Sequence, residues 1–366
     1  MKVMISGGGT GGHIFPALAI AEALKQKDQR TDILFVGAYG RMEMEKVPAA
    51  GYPIEGLWIS GLDRQKKWRN MSFPLKLVSS LWKSYRLLSK FGPDVVVGVG
   101  GFASGPLLEM ASRKGIPTLI QEQNSYAGLT NKMLAKKTDR ICVAYEGMDQ
   151  YFPHQKIIVT GNPVRASLLN ADWTRDTARN DLNIAPQQKV VLSLGGSLGA
   201  RTLNQMFDQN TQLIQSHSDL YFIWQYGSLY EDEYRESPTA LLPNVKAVKF
   251  IDDMAKMYAA ADLVVARAGA LTLAELAALG KAALLIPSPN VAEDHQTRNA
   301  MRLVEARAAH ILPDKEAVDR GIQEIIGLVN DTKSLTVLEN HIRKLHRPDA
   351  AYKIADEVVK LANRND

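Results

Sequence analysis

The stretch KVMISGGGTGGH, residues 2–13, places a short apolar strand directly before a glycine-rich turn. The same pattern returns as DVVVGVGGFASGP at residues 94–106 and as VVLSLGGSLGA at residues 190–200. A glycine turn at the carboxyl end of a parallel strand exposes backbone N–H groups to a ligand, and a helix that begins behind it attracts phosphate. Two of the three turns are predicted to open a helix. The spacing of the turns predicts two nucleotide-binding halves that face one cleft.

Short β-rich runs alternate with helical patterns along all 366 residues. This alternation predicts an α/β fold with parallel sheets covered by helices on both faces, and the length suits two domains. The predicted strands are 3–6, 33–36, 95–99, 118–121, 140–143 and 157–160, followed by 190–194, 221–225, 245–249, 263–266 and 283–286. The predicted helices of the first half are 17–27, 41–50, 75–90, 107–114 and 130–135. The turn Gly161-Asn162-Pro163 predicts a boundary, with domains at 1–161 and 162–349 and an amphipathic closing segment at 350–366.

The composition is that of a soluble globular protein, with 46% hydrophobic and 23% charged residues. We expect no signal peptide, because the apolar start is short and breaks into glycines, and no membrane-spanning segment. The one cysteine, Cys142, excludes an intrachain disulfide and fits a reducing compartment. It lies in an apolar run and is predicted to be a buried strand residue rather than a nucleophile.

Positive charge is concentrated in one segment. Between Asp63 and Asp94 the chain has no acidic residue and eight basic ones, so the remainder is net acidic although the whole chain carries +5. Aromatic residues precede and interleave with these charges, a combination that suits the headgroup level of an anionic bilayer. Two alternatives remain: most of the apolar residues from 73 to 85 form the core face of a helix, or the patch binds nucleic acid, for which no recognition motif is present.

The first glycine turn matches the dinucleotide fingerprint, but the strand that follows ends without the acidic residue that would hold an NAD ribose. No Gly-Lys-Ser/Thr sequence is present, which excludes a P-loop nucleotide hydrolase. His13 directly follows the glycines. At a strand-to-helix turn it is predicted to face the cleft as a general base, the alternative being a histidine that caps the helix.

In the second half, residues 267–275 read RAGALTLAE after a predicted strand. The N–H groups of Ala270, Leu271 and Thr272 would point at a pyrophosphate, and Glu275 could accept both hydroxyls of a ribose. The alternative is an ordinary helix start with an acid favoured by the helix dipole. The glycine turn at 195–200 favours the ligand interpretation.

Two further polar stretches of the second half bear on the ligand. Asp252 and Asp253 are adjacent rather than spaced to hold a divalent ion, and are predicted to start a helix. His295 and Gln296 are predicted to lie in a polar loop, either as partners of sugar hydroxyls or as plain surface residues.

Six motifs occur in the order seen in one enzyme family: GGTGGH at 8–13, VGGFASGP at 99–106, QEQN at 121–124, TGNPVR at 160–165, GGSLGA at 195–200 and GALT at 269–272. With them the chain resembles the bacterial N-acetylglucosaminyltransferases of glycosyltransferase family 28, which convert lipid I into lipid II in peptidoglycan synthesis. The resemblance implies the GT-B fold of two Rossmann-like domains, with acceptor and membrane binding in the N-terminal one and UDP-N-acetylglucosamine in the C-terminal one. It also implies that the segment 350–366 packs back on the N-terminal domain.

By motif, the resemblance assigns His13 as the catalytic base. It assigns UDP-N-acetylglucosamine contacts to Thr10, Gly11, Gly12, Asn124, Arg165, Ser197, Ile251, Met254, Ala270, Leu271, Thr272, Glu275 and Gln296. It places acceptor and phosphate loops at Gly100, Gly101, Ser104 and Gly105. Together with the basic segment, it implies a membrane patch of Lys66, Lys67, Arg69, Phe73, Lys76, Trp82 and Lys83.

The expected partners are UDP-N-acetylglucosamine, lipid I, an anionic phospholipid surface and other cell-wall synthesis and division proteins, with no nucleic acid and no obligatory metal or other cofactor. The expected location is peripheral, at the cytoplasmic face of the bacterial inner membrane. Two rival functions stay open: a UDP-N-acetylglucosamine 2-epimerase on the same scaffold, which would need no basic aromatic segment, and a non-catalytic nucleotide-sugar sensor or membrane scaffold.

Overall fold

A computed structural model describes residues 1–9, 11–61, 71–291 and 294–363 of the chain. It divides into two compact units, one formed by Met1–Arg165 with Arg347–Asp366 and the other by Ala166–His346. These divisions lie within a few residues of the boundaries that the sequence predicts. Every strand pairing among the described residues is parallel, and helices accompany both sheets, as the alternating pattern indicates.

Seven parallel strands form the sheet of the first unit. Their bounds are β1 (Lys2–Ser6), β2 (Asp32–Ala38), β3 (Ile54–Leu57), β4 (Val95–Gly98), β5 (Thr118–Glu122), β6 (Arg140–Val143) and β7 (Ile157–Val159). Their order is β3-β2-β1-β4-β5-β6-β7, so the winding reverses between β1 and β4. Open α/β sheets bind ligands outside the carboxyl ends of the strands at such a reversal.

Helices cover both faces of this sheet. Their bounds are α1 (Gly11–Lys27), α2 (Glu43–Ala49), α3 (Phe73–Phe91), α4 (Ser104–Arg113) and α5 (Leu129–Leu134). Because neighbouring strand residues point to opposite faces, Val3 and Ile5 join one buried cluster and Met4 joins another. The first cluster includes residues of α1 and the second includes residues of α4.

The second unit repeats the arrangement with six parallel strands in the order β10-β9-β8-β11-β12-β13. The strands are β8 (Lys189–Leu194), β9 (Leu220–Gln225), β10 (Val245–Val248), β11 (Leu263–Ala266), β12 (Ala283–Leu285) and β13 (His310–Ile311). The helices are α6 (Ala166–Leu169), α7 (Arg175–Asp181), α8 (Arg201–Asp208), α9 (Thr211–Ser216), α10 (Glu231–Tyr234), α11 (Met254–Ala260), α12 (Ala270–Leu279), α13 (His295–Glu305), α14 (Asp314–Asn330) and α15 (Thr332–Lys344). Here the winding reverses between β8 and β11.

The last helix, α16 (Ala350–Ala362), belongs to the first unit. Its buried face places Ile354, Ala355 and Val358 in the cluster that also holds Val3 and Ile5 of the central strand. The chain therefore leaves the first unit after residue 165 and returns to it at residue 347.

The structure differs from the sequence-based elements in three places. The short strands β3 and β13 are not among the predicted strands. Helix α1 begins at Gly11 rather than at residue 17, so that Gly11, Gly12 and His13 form its first turn. A helix follows all three glycine turns rather than two, because α4 begins at Ser104. Cys142 is buried in β6 as predicted, and burial raises the pKa of its thiol.

Candidate active site

Two glycine-rich loops follow the neighbouring strands β1 and β4. Residues 7–9 connect β1 to α1, and residues 99–103 connect β4 to α4. Because the two strands are parallel and lie side by side at the reversal of winding, both loops are at the carboxyl edge of the sheet. The first unit therefore brings its two predicted ligand loops together.

The two loops touch where glycine is required. Gly100 and Gly101 have φ values of +91° and +81°, in the region that favours glycine. A Cβ atom at Gly101 would overlap the carbonyl oxygen of Gly8, and one at Gly100 would lie 3.0 Å from Nε2 of His13. These glycines therefore let the two loops and the histidine ring approach each other, besides leaving backbone open to a ligand.

The imidazole of His13 is half-buried and is held by the loop before its helix. Its Nδ1 lies 3.1 Å from the carbonyl oxygen of Gly8. A carbonyl oxygen only accepts, so Nδ1 carries the proton and neutral His13 has its lone pair on Nε2. This bond goes to a carbonyl group, whereas a capping side chain accepts from a helix N–H group. The role of His13 as a general base stays a prediction.

The start of α4 stabilises the second loop. The buried hydroxyl of Ser104 donates to the carbonyl oxygen of Gly101 at 2.9 Å. At Gly105 a Cβ atom would make an ordinary 3.5 Å contact with Thr130, so packing does not require glycine there. Of these two predicted loop residues, Ser104 has a visible structural role in shaping the loop.

A buried carboxylate at the end of β5 organises the neighbouring loop. Glu122 accepts from the backbone N–H of Asn124 at 3.1 Å and from its side-chain amide at 3.3 Å. Its other oxygen accepts from the N–H of Gly128 at 2.8 Å and from Nδ2 of Asn131 at 2.9 Å. The predicted contact residue Asn124 is thus held by Glu122, which sequence reasoning did not assign although it lies inside the QEQN motif. The signal was an acidic residue that directly continues the apolar strand.

In the second unit, the glycine loop at 195–200 follows β8 and packs against the end of β9. Nε2 of Gln225 donates to the carbonyl oxygen of Gly196 at 2.7 Å, and the N–H of Ser228 donates to the carbonyl oxygen of Ser197 at 3.0 Å. Gly199 has a φ of +92°, and a Cβ atom there would overlap the carbonyl oxygen of Tyr226. The loop is therefore fixed by backbone contacts, with Ser197 half-buried within it.

The second loop of this unit follows β11, the parallel neighbour of β8, and opens α12. Ala270 begins the helix, and the N–H groups of Leu271 and Thr272 lie in its first turn, where a helix supplies no carbonyl partner of its own. The carboxylate of Glu275 is almost buried and accepts from the hydroxyl of Tyr258 at 3.1 Å. The helix start and the oriented carboxylate are compatible with the predicted pyrophosphate and ribose contacts, which stay predictions.

The segment after β10 leads into α11. Asp253 caps this helix by accepting from the N–H of Lys256 at 3.0 Å, and it also accepts from Nε1 of Trp173 at 3.0 Å. The prediction that the two aspartates start a helix is confirmed. Ile251 is buried just before the cap and Met254 is the first residue of the helix, half-buried.

His295 and Gln296 lie in a different element from the predicted one. They form the first turn of α13 instead of a polar loop. Oε1 of Gln296 accepts from the N–H of Ser288, the segment after β12, at 2.8 Å. Gln296 therefore stands at the same carboxyl edge as the loops after β8 and β11, and its amide is oriented by the chain.

Comparison with known proteins identifies the family. Residues 3–143 match the glycosyltransferase family 28 N-terminal domain, and residues 190–357 match the glycosyltransferase family 28 C-terminal domain. The chain belongs to glycosyltransferase family 28. This confirms the family and the enzyme class that the six motifs indicate.

The relatives of this family 28 chain match it from end to end. A protein of Bacteroides fragilis named UDP-N-acetylglucosamine--N-acetylmuramyl-(pentapeptide) pyrophosphoryl-undecaprenol N-acetylglucosamine transferase is 51% identical over 367 residues, covering 100% of this chain and 97% of that protein. A protein of the same name from Cytophaga hutchinsonii is 46% identical over 362 residues, covering 99% and 97%.

Solved structures share the architecture. MurG of Acinetobacter baumannii has a TM-score of 0.74 and 30% identity, with 98% of this chain and 99% of that chain covered. The UDP-GlcNAc 2-epimerase of Neisseria meningitidis, solved with UDP-GlcNAc, has a TM-score of 0.70 at 15% identity, with 98% and 100% covered. At that identity the epimerase shows the shared fold alone. The GT-B prediction is confirmed.

Helix α3 of the family 28 chain carries an exposed apolar stripe. Leu75, Val78, Trp82 and Tyr85 are spaced to share one face, and each is exposed, Leu75 by 68% and Trp82 by 61%. The buried residues of the helix are instead Ser80, Ser84 and Leu88. The prediction that most apolar residues of this segment form a core face is therefore wrong for the stripe, because small serines let the helix pack closely with its other side.

The predicted patch lysines are partly engaged with the protein itself. Lys83 donates to the carbonyl oxygen of Gly56 at 2.7 Å and pairs with Glu55 at 3.0 Å. Lys76 donates to the hydroxyl of Ser60 at 3.0 Å. Phe73 is half-buried at the start of α3. Of the predicted patch residues that the structure describes, Trp82 is the one most open to solvent.

Some predicted residues lie outside the described ranges or away from the loops. Thr10, Lys66, Lys67 and Arg69 lie outside the described residues. Arg165 is the last residue of the first unit before the chain crosses over, and its guanidinium stacks 4.5 Å from the ring centroid of Phe15 on α1.

Two features are absent from the described residues. Within the ranges that the structure describes, no helix is both long and apolar enough to span a bilayer. The same residues contain no group of three or more His, Cys, Asp and Glu side chains placed to hold a metal ion.

Proposed function

We propose that this chain transfers N-acetylglucosamine from UDP-N-acetylglucosamine to the 4-hydroxyl of the N-acetylmuramyl-pentapeptide of lipid I, giving lipid II. The observation that carries the proposal is 51% identity, over the entire chain, to a transferase whose name states this reaction. The loops of both units agree with it, because one offers a histidine base and the other a helix start and an oriented carboxylate.

The reaction is a single displacement with inversion. The muramyl 4-oxygen forms a bond to the anomeric carbon while the bond from that carbon to the β-phosphate oxygen breaks and UDP departs. The hydroxyl proton goes to Nε2 of His13, which the Nδ1–H bond to Gly8 leaves as the basic nitrogen. Charge that develops on the pyrophosphate is stabilised by the first-turn N–H groups and the dipole of α12.

The nucleotide is oriented from the same edge of the second unit. Glu275 accepts the ribose hydroxyls, and its bond from Tyr258 keeps the carboxylate in place. Ser197 and Gln296 supply further polar contacts from the loops after β8 and β12. We expect that no obligatory metal takes part; Asp252 and Asp253 are adjacent, and Asp253 serves as a helix cap and as the acceptor of Trp173.

The test is transfer of labelled sugar to a lipid acceptor. Purified protein is incubated with radiolabelled UDP-N-acetylglucosamine and a lipid I analogue, with and without EDTA. We expect labelled disaccharide-lipid and UDP in equal amounts, dependent on the acceptor and insensitive to EDTA. His13→Gln should lower turnover by about 100-fold or more, since general bases contribute factors of this size. The matched control is His154→Gln, an exposed histidine of the same unit.

Other products would decide for the rivals. Acceptor-independent formation of UDP-N-acetylmannosamine would establish an epimerase, and binding of the nucleotide with no conversion would establish a sensor. Turnover in His13→Gln equal to that of the control would remove His13 as the base while leaving the transferase intact.

The exposed stripe on α3 supports attachment to the cytoplasmic face of the inner membrane, where a lipid-linked acceptor is found. Leu75, Val78, Trp82 and Tyr85 would enter the interfacial region of the bilayer, with the guanidinium of Arg86, 4.8 Å from the Trp82 ring centroid, at the level of anionic headgroups. An exposed apolar stripe flanked by cations fits a phospholipid surface better than nucleic acid, which needs no aliphatic stripe.

Vesicle sedimentation tests the attachment. Leu75→Glu with Trp82→Glu should weaken binding to phosphatidylglycerol vesicles by about 100-fold or more, because each side chain loses roughly 1.5–3 kcal/mol of apolar transfer. The control is Val337→Glu, an exposed valine of the second unit. Charge reversal at Lys66, Lys67 and Arg69 should act on anionic vesicles alone. Unchanged partitioning of the double variant would contradict the assignment.

A further inference from the structure

Glu43 is a fully buried acid that the proposed reaction does not use. It is the first residue of α2 and has no exposed surface. Its Oε1 accepts from the N–H of Ala38 at 3.0 Å, and its Oε2 accepts from the N–H of Gly9 at 3.0 Å. A Cβ atom at Gly8 or at Gly37 would overlap the Glu43 side chain, so both glycines make room for it.

The peptide group that Glu43 binds is the same one that binds His13. The N–H of Gly9 and the carbonyl group of Gly8 belong to a single planar peptide. The N–H donates to Glu43 on one side, and the carbonyl oxygen accepts from Nδ1 of His13 at 3.1 Å on the other. Because Gly101 has no side chain, the Gly8 carbonyl has room in its position. A continuous hydrogen-bonded path therefore runs from carboxylate to peptide to imidazole.

We propose that Glu43 is a positioning residue that acts on His13 through the Gly8–Gly9 peptide. When the carboxylate accepts from the Gly9 N–H, it polarises the peptide group, since hydrogen bonds in series polarise one another. The negative charge on the Gly8 carbonyl oxygen increases as a result. The strengthened acceptor fixes the Nδ1–H tautomer and stabilises the imidazolium that forms when Nε2 takes a proton. In a carboxylate–histidine pair the carboxylate accepts directly from the ring N–H and fixes its tautomer; here one peptide group lies between the two. Its consequence for the transfer rate rests on the proposed function; its effect on the imidazole does not.

The size of the effect follows from distance. Along the path the carboxylate and Nδ1 are about 8 Å apart, so a unit charge raises the pKa of the imidazole by roughly half a unit to one unit for an effective dielectric of 40 to 80. Other charged groups on the surrounding elements include Glu122 at the end of β5, Arg41 over the Phe102 ring and Arg165 over the Phe15 ring. A substitution at residue 43 leaves all three in place, so the shift measures the charge of Glu43.

The experiment is nitrogen NMR of ¹⁵N-histidine-labelled protein, full length, across pH 5 to 9. In the wild-type chain we expect the His13 resonances of an Nδ1–H tautomer. In Glu43→Gln the pKa of His13 should fall by about half a unit to one unit, and the acidic limb of the kcat–pH profile should move down by the same amount. The control is Glu45→Gln, which removes the same charge from an exposed residue two positions along α2 and should leave the pKa of His13 in place.

The outcomes separate this inference from the proposed function. An unchanged pKa of His13 in a folded Glu43→Gln protein, or equal shifts in Glu43→Gln and Glu45→Gln, would overturn it. A lower plateau without a shifted limb would show that Glu43 acts on loop structure alone and would also overturn it. If Glu43→Gln does not fold, the wild-type spectrum decides, because an Nε2–H tautomer contradicts the path. The NMR result stands whether or not the protein transfers sugar.

Discussion

Replacement of Glu122 by glutamine should lower the free energy of unfolding of the first unit, because the buried carboxylate loses hydrogen bonds that an amide cannot accept. The carboxylate is 1% exposed and accepts from four N–H groups. A glutamine of the same shape keeps one oxygen toward Asn124 and places an NH₂ group where the second oxygen accepted. The N–H of Gly128 and Nδ2 of Asn131 would then face a donor.

The cost depends on how far the surroundings adapt. Hydrogen bonds to a charged group contribute about 1.5–3 kcal/mol each, and a buried donor without an acceptor costs about 1–3 kcal/mol. Asn131 can turn its amide so that Oδ1, which has no hydrogen-bond partner, accepts from the new NH₂ group. That rotation gives up the 3.3 Å bond from Nδ2 to the carbonyl oxygen of Gln121. The N–H of Gly128 gains no new acceptor in this way. We therefore expect a loss of about 2–4 kcal/mol in the free energy of unfolding.

Urea unfolding combined with hydrogen exchange measures this loss. Exchange assigns the change to a unit, which a single unfolding curve of a two-unit chain cannot do. The control is Glu146→Gln, whose side chain is 74% exposed and pairs with Arg347 at 2.7 Å; a surface pair of this kind contributes about 0–1 kcal/mol. The amides of Gly128 and Asn124 should lose protection in Glu122→Gln and keep it in the control. Equal stability of the two variants would refute the reasoning.

Three further variants test other parts of the molecule. Gly101→Ala should lower transfer by about 100-fold, because its Cβ would overlap the Gly8 carbonyl oxygen on which His13 depends. Glu275→Gln should weaken UDP binding, measured by calorimetry, about tenfold, the equivalent of one lost charge-assisted bond. Lys281→Met should raise the free energy of unfolding at pH 7 by about 3 kcal/mol, because burial lowers the pKa of Lys281 from 10.5 to about 8 in the folded chain. That penalty is complete below pH 8 and fades toward pH 10.5, so the gain should fade with it.

Each of these variants has a result that would contradict it, and the first two also have matched control variants. Gly115→Ala has a comparable φ of +70° but open space around its Cβ, so equal losses in Gly115→Ala and Gly101→Ala would indicate backbone strain and not overlap. Glu236→Gln removes the charge of an exposed residue in the same unit as Glu275. If Glu275→Gln and Glu236→Gln bound UDP equally well, Glu275 would not bind the ribose. For Lys281→Met, a stability difference that is the same at pH 7 and pH 10 would contradict the sign of the linkage.

The sequence predicted the parts of this fold that depend on local patterns. Apolar runs predicted the central strands because residues such as Val97 and Val191 are buried on both faces of a parallel sheet. The aspartate pair predicted a helix start because the capping bond of Asp253 reaches three residues along the chain. The strands β3 and β13 were missed since IEGL and HI carry too few apolar residues to make a pattern.

The candidate site was harder to predict from the sequence than the fold, because its residues are held by contacts between positions far apart in the chain. Glu43 binds the N–H of a residue 34 positions earlier in the chain, and no local feature distinguishes it from the exposed Glu45 on the same helix. The sequence left the stripe on α3 open between a core face and a membrane-facing surface, because hydrophobic periodicity indicates that one face is apolar but not whether that face packs on the protein. The side of the helix that packs on the unit carries Ser80 and Ser84, whose small size allows close approach.

A glycine-rich turn after a strand can serve either of two purposes: close packing of other groups against the backbone, or an open stretch of backbone. Glycine in a loop after a strand predicts space next to the backbone, but the sequence does not state what occupies that space. At Gly8, Gly100 and Gly101 the space is taken by a carboxylate, an imidazole and a carbonyl oxygen, so these glycines let the two loops and the His13 ring pack together. At Gly196, by contrast, a Cβ atom would meet nothing within 4 Å. Within the turn of the second unit the backbone at Gly196 is therefore open, whereas a Cβ atom at Gly199 would overlap the carbonyl oxygen of Tyr226, so the role of each glycine follows from what lies next to it.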